Sequence, residues 1–363
     1  MDRIRILDGG LGTSLVDKFG VTFDKTTPLW SGSLLFHGQD TLYTCQRDFV
    51  EAGVDVLLTA TYQASIEGFA RTKTTQHPDG IPKSEIPSYI DRAVVIARHA
   101  AKGDKNVKIA LSLGPYGACM VPSQEYSGKY DDEHDTEESL YQWHLKRLSL
   151  FISKESVLEG VQMLAFETVP RVDEIRAVRR AMSTCGITLP FWISTVYPGD
   201  SSRLPDGSSM VQVVESTLAS EGQGQMPWGI GINCTSVDKL AGLVAAMKLE
   251  IENQVSMQET CPTPALVLYP DGVNGMVHNS STNTWELSVD ARAVEHAKVF
   301  FTSQTMVACQ PYTDIESQSS WMRQLVRLAR EVHIEKTFSS VLVGGCCKTS
   351  AADIKALRDN LVP

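Results

Sequence analysis

The sequence lacks any long apolar run; nowhere does it approach the roughly 18 consecutive apolar residues that a membrane span needs. It also lacks a basic surplus. Its 33 Lys and Arg are outnumbered by 43 Asp and Glu, giving a net charge of -10, whereas nucleic acids and anionic membranes attract clustered Lys and Arg. No nucleic-acid or membrane partner is therefore expected. A phosphate loop is missing as well: Asp8-Gly9-Gly10-Leu11-Gly12-Thr13 is glycine-rich, but has neither Gly-x-Gly-x-x-Gly spacing nor a Gly-Lys-Ser/Thr ending. Disulfide spacing is absent too, because the eight cysteines are scattered over 363 residues with two of them adjacent. Met1 to Asp8 enter a strand almost at once, without the apolar core of a signal peptide. These absences lead us to expect a cytoplasmic protein with free thiols, acting on small molecules. A homo-oligomer is compatible with that expectation.

What is present is an alternation of short apolar strands with amphipathic helices. Strands are expected at Ile4–Leu7, Val54–Tyr62, Val107–Leu113, Met163–Pro170, Pro190–Val196, Trp228–Cys234, Pro264–Tyr269 and Val341–Val343. Helical spacing occupies 41–52, 88–102, 137–159, 171–186, a stretch ending near 220, 237–250, 317–332 and 351–361. Polar or Gly/Pro-rich stretches at 71–87, 199–226 and 270–285 read as long loops, the middle one lying around the helix that ends near 220. Eight strands alternating with helices, and no interdomain linker, predict an α/β fold. Its expected form is a single (β/α)8 TIM-type barrel across residues 1–363. A doubly wound open sheet is the alternative.

Active sites on such barrels gather at the C-terminal ends of the strands. Asp8, Thr61, Glu167, Asn233, Cys234, Cys346 and Cys347 all stand at such ends. Most cysteines are small core hydrophobes, and a Cys-Cys pair alone carries little weight. Here, however, Gly344-Gly345 allows a bend after the last strand, so that Cys346 and Cys347 can aim at one point, and Cys234 ends another strand. Three thiolates with no fourth protein ligand describe an open, catalytic zinc site.

A tris-thiolate zinc suits the deprotonation of a substrate thiol that remains nucleophilic. Asp8 and Glu167 could fix the α-ammonium of an amino-acid thiol, and a sulfonium could supply the methyl group. Aromatic faces cradle cations, and Tyr62, Tyr116 and Tyr269 are candidates. The acidic run Asp131 to Glu138 reads as a solvated loop and helix start.

Six segments make the sequence similar to the homocysteine S-methyltransferase family over nearly the whole chain. They are Leu7 to Thr13, Thr59-Ala60-Thr61-Tyr62-Gln63-Ala64-Ser65, Leu113 to Ala118, Phe166-Glu167-Thr168-Val169-Pro170, Gly231-Ile232-Asn233-Cys234 and Gly344-Gly345-Cys346-Cys347. The resemblance implies a single homocysteine-binding (β/α)8 domain with Zn(2+) on Cys234, Cys346 and Cys347. It implies homocysteine held by Asp8 and Glu167 with Gly9, Gly10 and Asn233 nearby, and a donor pocket around Thr61, Tyr62, Gln63 and Tyr116. It also implies methyl transfer from S-methylmethionine or S-adenosylmethionine, giving methionine. Two departures stand out: Lys348 follows the paired cysteines where Arg is expected, and Pro122-Ser123-Gln124-Glu125-Tyr126 replaces a Gly-Ser-Glu-Tyr pattern. A betaine or other donor, and a non-catalytic zinc-thiolate barrel for metal buffering or redox sensing, are the competing readings.

Overall fold

The computed structural model of the chain describes residues 3–362, apart from 25, 105, 220–223, 258–262, 273–275, 280–283 and 288–313. Eight strands lie parallel in one sheet. They are β1 (Arg5–Ile6), β2 (Val56–Leu58), β3 (Lys108–Leu113), β4 (Met163–Val169), β5 (Phe191–Thr195), β6 (Gly229–Asn233) and β7 (Ala265–Tyr269). A hairpin of β8 (Met276–Asn279) and β9 (Thr284–Leu287) intervenes before the last, β10 (Val341–Val343). Each strand from β2 to β7 pairs with the next, β7 pairs with β10, and β10 with β1. A parallel bridge between Leu7 and Val56 joins β1 to β2 and closes the ring. Closure excludes the open doubly wound sheet, and the fold is the expected (β/α)8 barrel.

Strand alternation divides the core in two. Leu7, Val56, Ala110, Met163, Ala165, Trp192, Val267, Tyr269 and Leu342 fill the barrel interior, while their neighbours in sequence pack outward beneath the helices. The interior side of β6 carries glycine because the neighbouring strands β5 and β7 leave no room for a side chain. A Cβ on Gly231 would come within 2.5 Å of the Val267 carbonyl oxygen and 2.4 Å of Ser194 Oγ. The same alternation, continued to the strand ends, turns Ser112, Glu167 and Asn233 inward, where polar side chains replace apolar ones.

The helical expectations are met with local differences. The last helix spans Ala351–Leu361, started by a capping box between Ser350 and Asp353. The stretch expected as one helix over 137–159 is two, Glu137–Phe151 and Glu155–Gly160. Ser153 Oγ donates to the Leu150 carbonyl at 2.7 Å, drawing the backbone out of the helical pattern between them. The glycine-rich segment after β1 becomes a helix at Leu11–Phe19, and the loop expected at 270–285 contains β8 and the start of β9. Cys261 and Cys309 lie outside the described residues. Among the described residues no helix is long and apolar enough to cross a membrane.

Candidate active site

Two turns deliver the sulfurs. Cys234 follows β6 with φ 46°, in the left-handed region, its N–H donating to the Tyr269 carbonyl at 3.2 Å. Cys346 and Cys347 follow β10, and the loop carrying them is packed tightly: a Cβ on Gly345 would meet Thr349 Cγ2 at 2.1 Å. The ligand atoms of Cys234, Cys346 and Cys347 all lie within 4.8 Å of one another, and no further His, Asp or Glu joins them among the described residues. Where free thiols are expected, Cys234 and Cys346 are joined as a disulfide, with their Cα atoms 5.4 Å apart. The strand ends bring the two sulfurs together, and oxidation is one outcome of that proximity. Reduced, the three offer soft donors in the number that zinc takes in an open site, so the donor set fits the expected metal. The Tyr126 hydroxyl is hydrogen-bonded to Cys347 Sγ.

Beside the sulfurs stand two carboxylates. Glu167, 5% exposed, accepts from the hydroxyls of Ser112 and Tyr269. Asp8, 1% exposed, accepts from the Leu58 N–H at 2.8 Å through Oδ2, while Oδ1 has no partner. Burial pushes Glu167 up to about 7, and raises Asp8 well above the ordinary carboxylate range, with the nearby Glu167 charge adding to the rise. No ion pair among the described residues involves either. Two buried acids facing each other without a cation are an incomplete arrangement, and a bound ammonium would complete it. Asp8 is tied to the sulfur loop through the Gly345 N–H, which donates to its carbonyl at 3.0 Å.

Alternation points Glu167 inward, and just after it β4 becomes irregular. The pairing with β5 shifts register between Phe166 and Val169, and Thr168 takes φ 61°. A non-glycine residue held there costs about 1–3 kcal/mol and needs outside support. Asn233 supplies it: its Oδ1 accepts from the Thr168 N–H at 2.7 Å and its Nδ2 donates to Thr168 Oγ1 at 2.7 Å. The Asn233 amide, expected near homocysteine, is thus engaged in positioning the turn beside Glu167. Gly9 and Gly10 likewise serve close packing, since a Cβ on either would lie 2.5 Å from a carbonyl oxygen of the cysteine loop, Thr349 for Gly9 and Cys346 for Gly10.

The expected donor residues divide. Tyr62 stands by the Glu167 turn: its hydroxyl is hydrogen-bonded to the Thr168 side chain, and its charge environment includes both Glu125 and Glu167. Thr61 lies beneath, its hydroxyl donating to the Ser112 carbonyl at 2.7 Å, which steadies the strand that supports Glu167. Gln63 takes part through its backbone, its carbonyl facing Cys119 Sγ at 3.6 Å. Tyr116 is engaged elsewhere: its ring stacks on His134 with centroids 4.2 Å apart, and its hydroxyl donates to Asp131. Tyr269, proposed as a cation cradle, hydrogen-bonds Glu167 instead and receives the Trp192 N–H at 3.2 Å. Lys348 does not reach the sulfurs; its ammonium pairs with Asp17 at 2.8 Å.

Two participants emerge only in the structure. Arg147, buried, donates to the carbonyls of Gly114 at 2.7 Å and Tyr62 at 3.3 Å, locking the loops after β3 and β2 together. Glu125 presents a third buried carboxylate. Arg147 reads in sequence as one more polar position on a long helix, and Glu125 stands only in the divergent 122–126 stretch.

Residues 5–361 match the family model described as homocysteine S-methyltransferase. Among curated relatives, homocysteine S-methyltransferase 2 of Zea mays is 27% identical over 363 residues, covering 98% of this chain and 89% of that one. Selenocysteine Se-methyltransferase of Brassica oleracea var. italica is 29% identical over 372 residues, covering 98% and 88%. Among solved structures, the metallated form of the homocysteine methyltransferase MmuM from Escherichia coli superposes with a TM-score of 0.63 at 24% identity. It covers 99% of this chain and 96% of its own, a likeness of fold.

Proposed function

We propose, from the premise that the chain belongs to the homocysteine S-methyltransferase family, that it moves a methyl group from a sulfonium donor to the thiol of L-homocysteine, forming methionine. S-methylmethionine or S-adenosylmethionine would serve as donor, and residues 1–363 would act as one homocysteine-binding domain. The observation that carries the reading is the meeting of three cysteine sulfurs within 4.8 Å with two buried carboxylates that have no cation. A thiol at one end of a small molecule and an ammonium at the other would satisfy both.

Cys234, Cys346 and Cys347, reduced as a cytoplasmic environment would keep them, would hold the zinc. When bound there, zinc stabilises a substrate thiolate near neutral pH while leaving it nucleophilic. The remaining work falls to the chain. Asp8 Oδ1 and Glu167 take the α-ammonium, which draws both carboxyls toward their ionised forms and places the substrate chain across the barrel mouth. Ser112 and Tyr269 hold the Glu167 oxygens, and Asn233 holds the turn beside them. Tyr126 fixes Cys347 Sγ. Because a sulfonium departs as a neutral thioether, the leaving group needs no acid, and none is required of these residues.

The test is methionine formation by purified, reduced protein from homocysteine with S-methylmethionine, S-adenosylmethionine or betaine, each with and without a zinc chelator. Chelator-sensitive product from a sulfonium is expected. Zinc-containing protein that makes product from neither sulfonium would overturn the proposal.

A further inference from the structure

Glu125 is not needed by the homocysteine arrangement, yet it is buried beside it. It sits in a turn fixed at both ends: the Gln124 N–H donates to the Gly117 carbonyl at 2.8 Å, and the Gly128 N–H donates to the Gln124 carbonyl at 2.9 Å. Gly117 permits this, since a Cβ there would lie 3.0 Å from the Glu125 nitrogen. The Glu125 side chain is 6% exposed and its Oε2 has no partner, while the Ser123 side chain hydrogen-bonds the carboxyl. No ion pair among the described residues involves it.

Its neighbours are aromatic and sulfur-bearing. The Glu125 charge bears on Tyr62, Tyr126, Cys119 and Cys347. Tyr62 feels both Glu125 and Glu167. One cation suits the Asp8 and Glu167 pair, and the unpartnered Glu125 oxygen leaves a place for a second positive charge near Tyr62 and Cys347. A buried carboxylate with one unpartnered oxygen and two tyrosines beside it is suited to a soft organic cation.

We infer that Glu125, with Tyr62 and Tyr126, forms the subsite that receives the positive charge of the methyl donor next to the sulfur cluster. This rests on the proposed methyl transfer and makes it more specific. Here Glu125 touches the donor rather than homocysteine, and its charge opposes that of the sulfonium in the ground state. Methyl transfer then neutralises the donor, so Glu125 also favours exchange of the thioether product for a fresh cation.

The experiment compares wild-type protein with Glu125→Gln in two measurements. Calorimetric binding of S-methyl-L-methionine, without homocysteine, reads the subsite independently of turnover. Steady-state kinetics then read the KM of each substrate. Loss of one charged contact in a buried site predicts donor affinity weakened by about tenfold or more, with the homocysteine KM within about twofold. Glu125→Asp, which keeps the charge on a shorter arm, should recover part of the donor affinity. If Glu125→Gln does not fold, Tyr62→Leu, judged by the same donor-selective loss, takes its place. Undiminished S-methyl-L-methionine binding by Glu125→Gln, or an equal rise in both KM values, would overturn this subsite and leave the methyltransferase reading standing. Tight, Glu125-dependent binding by a protein that forms no methionine would do the reverse.

Discussion

Glu167→Gln should make the protein more stable and a worse enzyme. The native site holds this carboxyl up at about 7 against an ordinary 4.5, because it is buried and its two hydroxyl donors only partly replace water. A group whose folded pKa is raised binds protons more tightly in the native state, so stability falls as pH climbs from the ordinary value to the folded one. Above about pH 7 the whole cost is present, roughly 3 kcal/mol at 1.36 kcal/mol per pH unit. Glutamine keeps an acceptor for Ser112 and Tyr269 without the charge. Unfolding entropy of about 2 cal/mol/K per residue over the chain makes the gain worth up to roughly 4 °C in Tm near pH 8. The gain should fade as pH falls toward about 4. Homocysteine binding moves the other way: the variant should need at least tenfold more homocysteine, and the wild-type KM should rise as pH drops through about 7. Thermal scans across pH, paired with homocysteine titrations, measure both effects. A variant less stable than wild type near pH 8, or a stability difference that ignores pH, would refute the burial argument.

Cys346→Ser should fold normally by circular dichroism yet retain almost no zinc by elemental analysis, and lose activity with it; one tightly held zinc per chain in that variant would refute the three-sulfur site. Asn233→Ala leaves the buried Thr168 N–H without an acceptor, and should lower stability by about 1–3 kcal/mol in urea unfolding. The same change should reduce kcat, because the turn next to Glu167 loses both ties. An unchanged unfolding midpoint would mean that the left-handed turn at Thr168 supports itself.

The barrel and its sulfurs were legible because both depend on local pattern. Apolar runs ending in Gly, Pro or a polar residue locate the strand tips, and the tips of one barrel must converge. Alternation alone turns Glu167 to the same face as Ala165 and Met163. The roles of Asn233, Thr61 and Tyr116 were not legible in that way, since being at a strand end says nothing about which neighbour a side chain meets. Asn233 answers to a register shift in β4 that no residue type announces, and Tyr116 to an aromatic cluster built from a loop and a helix far along the chain. Helix Leu11–Phe19 escaped because glycines that open a helix look like glycines that open a loop. The hairpin β8–β9 escaped because a polar stretch without strong alternation carries little strand signal.

The distribution of charge explains why such a site tolerates so much burial of acid. Asp8, Glu167 and Glu125 are each buried without a cation, and three cysteine sulfurs adjoin them. Arg147, buried nearby, spends donors on the carbonyls of Tyr62 and Gly114 rather than on any of these acids. Had a protein lysine or arginine neutralised the acids, the empty site would be more stable and the substrates would have to displace it. Leaving the positive charge to arrive with the metal, with an ammonium and with the methyl donor transfers that stabilisation to binding. It follows that neutral substitutions at Glu167 and Glu125 should share the gain in stability while differing in which substrate they weaken. That divergence separates two sites from one diffuse acidic pocket.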